Sequence, residues 1–537
     1  MKTASNKHKH NKNNEHPTPN LGETPSKSVG SSDGCVEDEE NNAFQGSLWR
    51  QIGAVMVVSS TNFLQGCSLP TASLASAQLS LLSSDLCDRN NGSVLGCPTR
   101  GHHFLYQLDD LQISEDDITL VEISWLLGHL VSAVTSNPIA EIIGRKKSLV
   151  IDVIAFMCGF LLMALGDSVL QLCIGRLLLG YPLVSSVYLC EIVHPDIRGL
   201  SGGTYSTLNA VGYSLTLLLG AVLPSWRLAL LILAILHLPI LVLIIFVPES
   251  PTWLIRKGRV DEAELALKRL RGATVHHAKE FSDLKFQVTH NFKRDDDSAN
   301  SNIMNVFKSM TRKNFLLPFF YLFVLYVGIG WSGVTFITYN SIQLFQEEHL
   351  LFVDKYYISF LVSLIKIPGG FVGIILMNFL PRSMVLQSTG LLVAVSHILM
   401  GLVYLSLIPK WWALVAITGA FFGCSAGYLT CAHLILGELL PANLRSIGVG
   451  LISASESVST IVQTVASDSV IDHIGRSGLF FVFAGVVSAS VFHAHFLMPE
   501  TSGLTLEEIE NVWLEHEQPG LLNRRLSCRF NTPLSAG

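Results

Sequence analysis

Apolar residues in this chain fall into blocks of about 20 separated by short polar stretches. A half-buried strand would alternate instead, and a soluble helix would carry a narrow apolar stripe. The blocks cover 49–74, 118–143, 148–165, 169–193, 202–223 and 228–247, then 315–344, 356–379, 384–407, 411–436, 446–470 and 478–497. A helix of about 20 residues spans the hydrocarbon of a bilayer. A membrane β-barrel would show shorter, alternating segments. The pattern predicts an all-α membrane protein with twelve transmembrane helices, arranged as two six-helix pseudo-repeats around a polar middle.

That middle opens with PESPTWLIRKGRVDEAELALKRLRG, residues 248–272, dense in Lys, Arg and Glu. It cannot lie in lipid. Val260 to Arg271 has helical spacing, with Ala263, Leu265, Ala266, Leu267 and Leu270 available to pack. The expected divisions are a disordered cytoplasmic tail (1–47), a six-helix bundle (48–247), a cytoplasmic helical linker (248–313), a second six-helix bundle (314–498) and a cytoplasmic C-terminal tail (499–537). The N-terminal stretch is polar and lacks the short apolar core of a cleavable signal peptide.

Composition supports the membrane class. Of 537 residues, 49% are hydrophobic and only 15% charged, whereas soluble domains carry about a quarter. The net charge of −6 says little about partners; the placement of basic residues says more. Lys and Arg gather in the N-terminal tail, at Arg145-Lys146-Lys147, at Arg198, through the linker, at Arg382, at Arg445 and near the C-terminus. By the positive-inside rule both termini and the linker are cytoplasmic, as in a multi-pass plasma-membrane protein. The loop between the first two spans then lies outside. It holds an N-glycosylation acceptor at Asn91 and two cysteines, Cys87 and Cys97, which an oxidising compartment allows to pair. Cysteines within the apolar runs, such as Cys158, Cys173, Cys190, Cys424 and Cys431, read as small packing residues. No metal-ligand spacing occurs.

The two halves repeat in detail. EIVHPDIR, from Glu191 to Arg198, follows the fourth span, and ELLPANLR, from Glu438 to Arg445, follows the tenth. Both place Arg seven residues after Glu, with a Pro between. Six-plus-six transporters bind their solute near the bilayer midplane between halves and expose it alternately to each side.

At these residues the chain resembles a sugar porter of the major facilitator superfamily. The carrying motifs are GRKK (144–147), Gly175-Arg176, the two Glu…Arg segments, PESP with WLIRKGR (248–259) and PETSGLTLEEIE (499–510). Pro138 to Arg145, with Glu141 where many relatives have Asp, is similar to insect trehalose and glucose facilitators. The resemblance implies a gate of cytoplasmic-side ion pairs from Glu141, Arg145, Arg176, Glu191, Arg198, Glu438 and Arg445. It also implies facilitated diffusion, because proton-coupled members carry an Asp in the first span where this chain has Gly66-Cys67-Ser68.

The departures concern the second half and the solute site. The loop after the eighth span reads NFLPRS (378–383), without the family's acid, second base or turn glycine. Thr252 stands where the PESP motif continues with Arg. The paired Gln positions of the seventh span are Ile329 and Gly330, and a later Asn is Thr335. The fifth-span Gln aligns with Ser206, the eighth-span amide with Lys366, the tenth-span Pro-Trp with Ala432-His433, and the eleventh-span Asn with Glu456. Ionisable residues at membrane depth cost at least about 2.5–3.5 kcal/mol and mark function by default. The simplest arrangement is a buried Lys366–Glu456 ion pair with His433 beside it.

Three readings stand at this stage. One is a facilitative carrier for trehalose or a hexose. Another is a carrier for an organic ion or other polar solute, using Lys366, His433 and Glu456. The third is a non-transporting sensor on a transporter frame. Nothing suggests an enzyme: no nucleotide-binding loop appears, and the polar segments are too small for a catalytic domain. The expected partners are a small-molecule solute and the lipid bilayer, with no cofactor, metal or nucleic acid.

Overall fold

The computed structural model describes residues 33–75, 115–181, 185–193, 198–271, 280–286, 288, 310–348, 354–441 and 444–498. The chain divides into Met1–Gly46 and Ser47–Gly537. Asn91, Cys87, Cys97, the PETSGLTLEEIE motif and the C-terminal tail lie outside the described residues.

All regular structure among the described residues is helical. In chain order the helices are α1 (Asp33–Ser68), α2 (Glu115–Ile143), α3 (Arg145–Leu165), α4 (Val169–Leu179), α5 (Ser185–Ile192), α6 (Arg198–Val222) and α7 (Trp226–Phe246). The polar middle forms α8 (Pro251–Arg256) and α9 (Val260–Arg271). There follow α10 (Lys313–Gly330), α11 (Val334–Tyr339), α12 (Ser341–Glu348), α13 (Lys355–Ser363), α14 (Lys366–Phe379), α15 (Arg382–Tyr404), α16 (Trp412–Gly423), α17 (Leu429–Leu439) and α18 (Arg445–Leu497). Among the described residues, 9 helical stretches are long and apolar enough to cross a membrane. The first helix is described from Asp33, within the stretch expected to be tail.

The departures from a simple run of long helices have local causes. The fourth apolar block forms α4 and α5 rather than one helix. The seventh breaks after α10, where Gly333 adopts φ 75°, a left-handed conformation that suits glycine. A five-residue π-helical turn, Cys424–Tyr428, joins α16 to α17. The last two blocks are continuous in α18, turned at Gly475 with φ 73°.

Helices approach closely where side chains are small. A Cβ on Gly180 would come within 2.0 Å of the Trp125 carbonyl oxygen, and one on Gly128 within 2.2 Å of that of Leu177. This reciprocal pair sets the α2–α4 crossing, as small residues do in lipid, where apolar burial does not itself drive association. Large apolar side chains such as Ile235, Phe246, Phe379, Leu391 and Phe492 are exposed and form the surface that meets acyl chains.

The two halves meet along α2 against α18, and along α6 against α13 and α14. In α9, Ala263, Ala266, Leu267 and Leu270 are buried, a spacing of one helical face. Leu265, expected to pack, is 52% exposed because it falls off that face.

Candidate functional site

Three groups of polar side chains are built into the helical frame. The first lies where α3 begins. Arg145 is buried and reaches Glu191 with two nitrogens, both at 3.0 Å, and Glu141 at 2.7 Å. Arg256 from α8 reaches the same two acids, at 3.2 Å each. The Ser250 hydroxyl donates to Glu191 at 2.5 Å. Glu249 accepts from the backbone N–H groups of Arg145 and Lys146, at 2.9 and 3.1 Å. It thereby satisfies donors that the start of a helix leaves free and sets an anion at the positive end of the helix dipole. Ser250 caps α8, with Pro251 in its first turn, and the Trp253 indole donates to the Glu141 carbonyl at 2.9 Å. The PESP segment is therefore a clamp across the ends of α2, α3 and α5.

Thr252, which stands in place of a basic residue, bonds the Ser250 hydroxyl at 2.8 Å. One turn later Arg256 supplies the positive charge. The backbone of Arg198 opens α6; its side chain is outside the described residues.

The equivalent place in the second half uses other residues. Arg382, the base retained in NFLPRS, forms an ion pair with Glu438. Arg445 donates through Nε to the Leu440 carbonyl at 3.3 Å.

Arg176 is not part of either group, a correction to the sequence expectation. Its guanidinium donates to the Ser68 carbonyl at 2.7 Å and the Thr71 hydroxyl at 2.8 Å. It also lies 5.7 Å from the centroid of the Tyr339 ring. Glu122, buried on α2, is in the electrostatic field of Arg176 and of Asp468 on α18. α4 runs toward the ion-pair end, and Arg176 lies too far back along it to reach Glu191. It instead joins α1, α2 and α4 to the short helix α11.

The third group lies between these levels and joins the halves. Ser206 on α6 bonds Thr430 on α17 at 3.0 Å. His129 on α2 bonds Ser457 on α18 through Nδ1 at 2.8 Å. The ring of His129 stacks on Trp125, with centroids 5.6 Å apart, and Trp125 is held by an indole bond of 3.1 Å to the Ser68 hydroxyl.

The expected Lys366–Glu456 ion pair is absent among the described residues. Lys366 sits instead over two aromatic faces, 3.7 Å from the Tyr213 centroid and 4.0 Å from that of Phe421. Ring quadrupoles attract an ammonium group strongly when both are shielded from water. Tyr213 belongs to the first half and Phe421 to the second, so this clamp also bridges them. Glu456 lies in the electrostatic field of His433, and Tyr326 in that of Glu456. The ring of His433 meets Tyr326 edge-on at 6.0 Å, and its Nδ1 bonds the Leu429 carbonyl at 2.7 Å.

The remaining expected site residues differ among themselves. Ile329 is buried in the second-half core. Gly330 lets α10 press against α18, since a Cβ there would come within 2.7 Å of Ser459. Thr335 is half-buried on α11. Sequence reasoning missed Glu122, Trp125, His129 and Tyr326. The rule that singled out Lys366 would also have found Glu122 and His129, since both are ionisable residues within the apolar block 118–143.

Comparison with known proteins places this frame. The family described as "Sugar (and other) transporter" matches residues 52–513. The facilitated trehalose transporter Tret1 of Bombyx mori is 28% identical over 412 residues, covering 73% of this chain and 79% of that one. Its Apis mellifera ligustica counterpart is 26% identical over 422 residues, 76% of this chain and 82% of the other. The proton:xylose symporter XylE bound to 6-bromo-6-deoxy-D-glucose superposes with a TM-score of 0.68 at 16% identity, covering 87% of this chain and all (100%) of that one. The human organic anion transporter MFSD10 does so with a TM-score of 0.54 at 14% identity, covering 83% and 99%. These last two speak to the fold, that of the major facilitator superfamily. With the family match spanning both helical halves, the chain belongs to the sugar (and other) transporter family and is a multi-pass membrane carrier.

Proposed function

We propose that this protein is a facilitative sugar carrier, moving trehalose or a hexose by alternating access between its two halves. The observation that carries the reading is the family match across both halves, together with similarity to transporters named for facilitated trehalose transport. The bridges Ser206–Thr430, His129–Ser457 and Tyr213–Lys366–Phe421 lie between the halves, where transporters of this construction hold their solute.

Twelve crossings follow if α4 with α5, and α6, each cross once and α18 crosses twice about Gly475. The linker and both termini then face the cytoplasm of a plasma-membrane protein. Asn91 becomes an external glycosylation site, and Cys87 and Cys97 an external disulfide. Glu141, Arg145, Glu191 and Arg198, with Glu438 and Arg445, close the cytoplasmic side when the carrier faces outward, joined by Arg256 and Arg382. Arg176 serves the external side, where α11 packs against the first half. No covalent chemistry is needed for such a cycle, only two states separated by a few kcal/mol.

Uptake of labelled trehalose, glucose and related sugars into proteoliposomes tests the reading. The expected result is saturable flux that runs down the sugar gradient and is unaffected by collapse of a pH gradient. No flux across the panel overturns it.

A further inference from the structure

α6 runs along the seam between the halves, and its side chains meet the second half at successive levels. A Cβ on Gly203 would run into Ile374 of α14, and one on Gly370 would come within 2.5 Å of the Thr207 hydroxyl. Further along, Ser363 on α13 bonds the Ser214 hydroxyl at 3.0 Å. The Tyr213 hydroxyl donates to the Thr338 carbonyl at 3.2 Å and lies 3.4 Å from the Ser341 hydroxyl. Within this close-packed seam sits a charge.

α13 ends at Ser363 and α14 starts at Lys366. Pro368 has no backbone N–H to give the Leu364 carbonyl, so the two do not join as one regular helix. The ammonium of Lys366 rests in the corner between two rings, 3.7 Å from the centroid of Tyr213 and 4.0 Å from that of Phe421. The rings themselves meet edge-on, with centroids 6.0 Å apart. Lys366 makes no ion pair or hydrogen bond among the described residues. An ammonium withdrawn from water needs compensation, and here the ring faces supply it.

Phe421 belongs to the same half as Lys366, and Tyr213 to the other. Moving α6 away from α14 therefore takes one ring from the ammonium and admits water to it. A carboxylate partner would also be left as an unpaired charge by that step, whereas a ring leaves none behind. The contact is firm when dry and easily released when wet, as a carrier with two states requires.

We propose that Lys366, Tyr213 and Phe421 form a cation–π latch that holds the halves together along α6 and α14 and must open when the carrier changes state. Lys366 is a positioning residue in this role and not a ligand of the solute, because the rings already engage its charge.

The test reads the separation of the halves directly, without sugar, so its result does not depend on which solute is carried. Spin labels are placed on Val222→Cys and Leu407→Cys, exposed positions at the end of α6 and just beyond α15, with reactive native cysteines replaced. Their distance distribution gives the ratio of separated to closed molecules. Lys366→Met keeps the length and apolar packing of the side chain, and should raise that ratio at least about tenfold. Lys366→Arg retains a cation that can lie on a ring and should stay within about threefold of the wild type. Tyr213→Phe keeps the ring face and should shift the ratio less than Lys366→Met. Replacing Phe421 with mono-, di- and trifluorinated phenylalanine drains the negative face while keeping the ring. The ratio should rise stepwise with fluorine number, and the series should be flat in the Lys366→Met background. Melting each protein checks the fold, and the fluorinated series decides the matter if Lys366→Met does not fold. A flat series with Lys366 in place overturns the latch. So does a Lys366→Met ratio within twofold of the wild type, or a larger shift from Tyr213→Phe than from Lys366→Met.

Discussion

The ion-pair ends of the two halves occupy equivalent places in the repeat, yet they differ in build. In the first half, Glu191 is shared by Arg145, Arg256 and Ser250, and Glu249 ties the linker to the start of α3. In the second, Glu438 pairs with Arg382. The first arrangement is a network anchored by a third element, the linker; in the second, Arg382 and Glu438 join two neighbouring helices. Both acids are largely buried, so removing either strands a charge; Glu191 serves two guanidinium groups. If these ion pairs close the cytoplasmic side as proposed, the linker-anchored first half is expected to be the stiffer of the two.

Glu191→Gln should have the largest effect. It deprives two guanidinium groups of their shared acid, at a cost of about 3 kcal/mol, read as a lower melting temperature and at least tenfold slower sugar flux. Glu438→Gln should cost about 1–2 kcal/mol, because it takes an acid from Arg382 where Glu191 serves two guanidinium groups. If it is more damaging than Glu191→Gln in the same melt and flux assays, the asymmetry between the halves is wrong. Arg256→Ala leaves the Arg145 contacts in place and should lower stability by about 1 kcal/mol or less. Its flux defect should shrink in high salt relative to wild type, since screening weakens the partly exposed contact there as well. Thr252→Val should be smallest, below about 1 kcal/mol, because only the bond to Ser250 is lost. A large loss there would mean that Thr252, and not Arg256, fills the place of the missing base.

These differences were only half legible from residue order. The repeated Glu…Arg spacing pointed to the acids at 191 and 438, and the GRKK motif to Arg145. It could not say that Arg256, rather than a residue at 252, reaches back to Glu191, since a turn of helix carries the side chain there. NFLPRS lacks the family's acid, second base and turn glycine; folding brings its Arg382 onto Glu438 all the same. The resemblance grouped Arg176 with the ion pairs, whereas its contacts are Ser68, Thr71 and Tyr339, more than a hundred positions away.

The mid-membrane residues show the same limit. Lys366 and Glu456 stand out as ionisable groups in apolar runs, and opposite charges invited a pair. In the folded chain the ammonium of Lys366 lies on Tyr213 and Phe421, and Glu456 makes no ion pair with it among the described residues. Charge alone names candidates; a cation's choice between a carboxylate and two ring faces depends on which helices are adjacent.

The sequence by itself determined the class of molecule. Apolar blocks of bilayer length force helices, because backbone groups in hydrocarbon must satisfy one another within the same segment. A polar clamp between two sets of such blocks, with recurring motifs, indicated a transporter frame. Tertiary structure decided which charges meet, which bridge the halves and which retain unmet hydrogen-bonding capacity. Those depend on contacts of a few ångströms between helices remote in sequence, and neither hydropathy nor spacing encodes them.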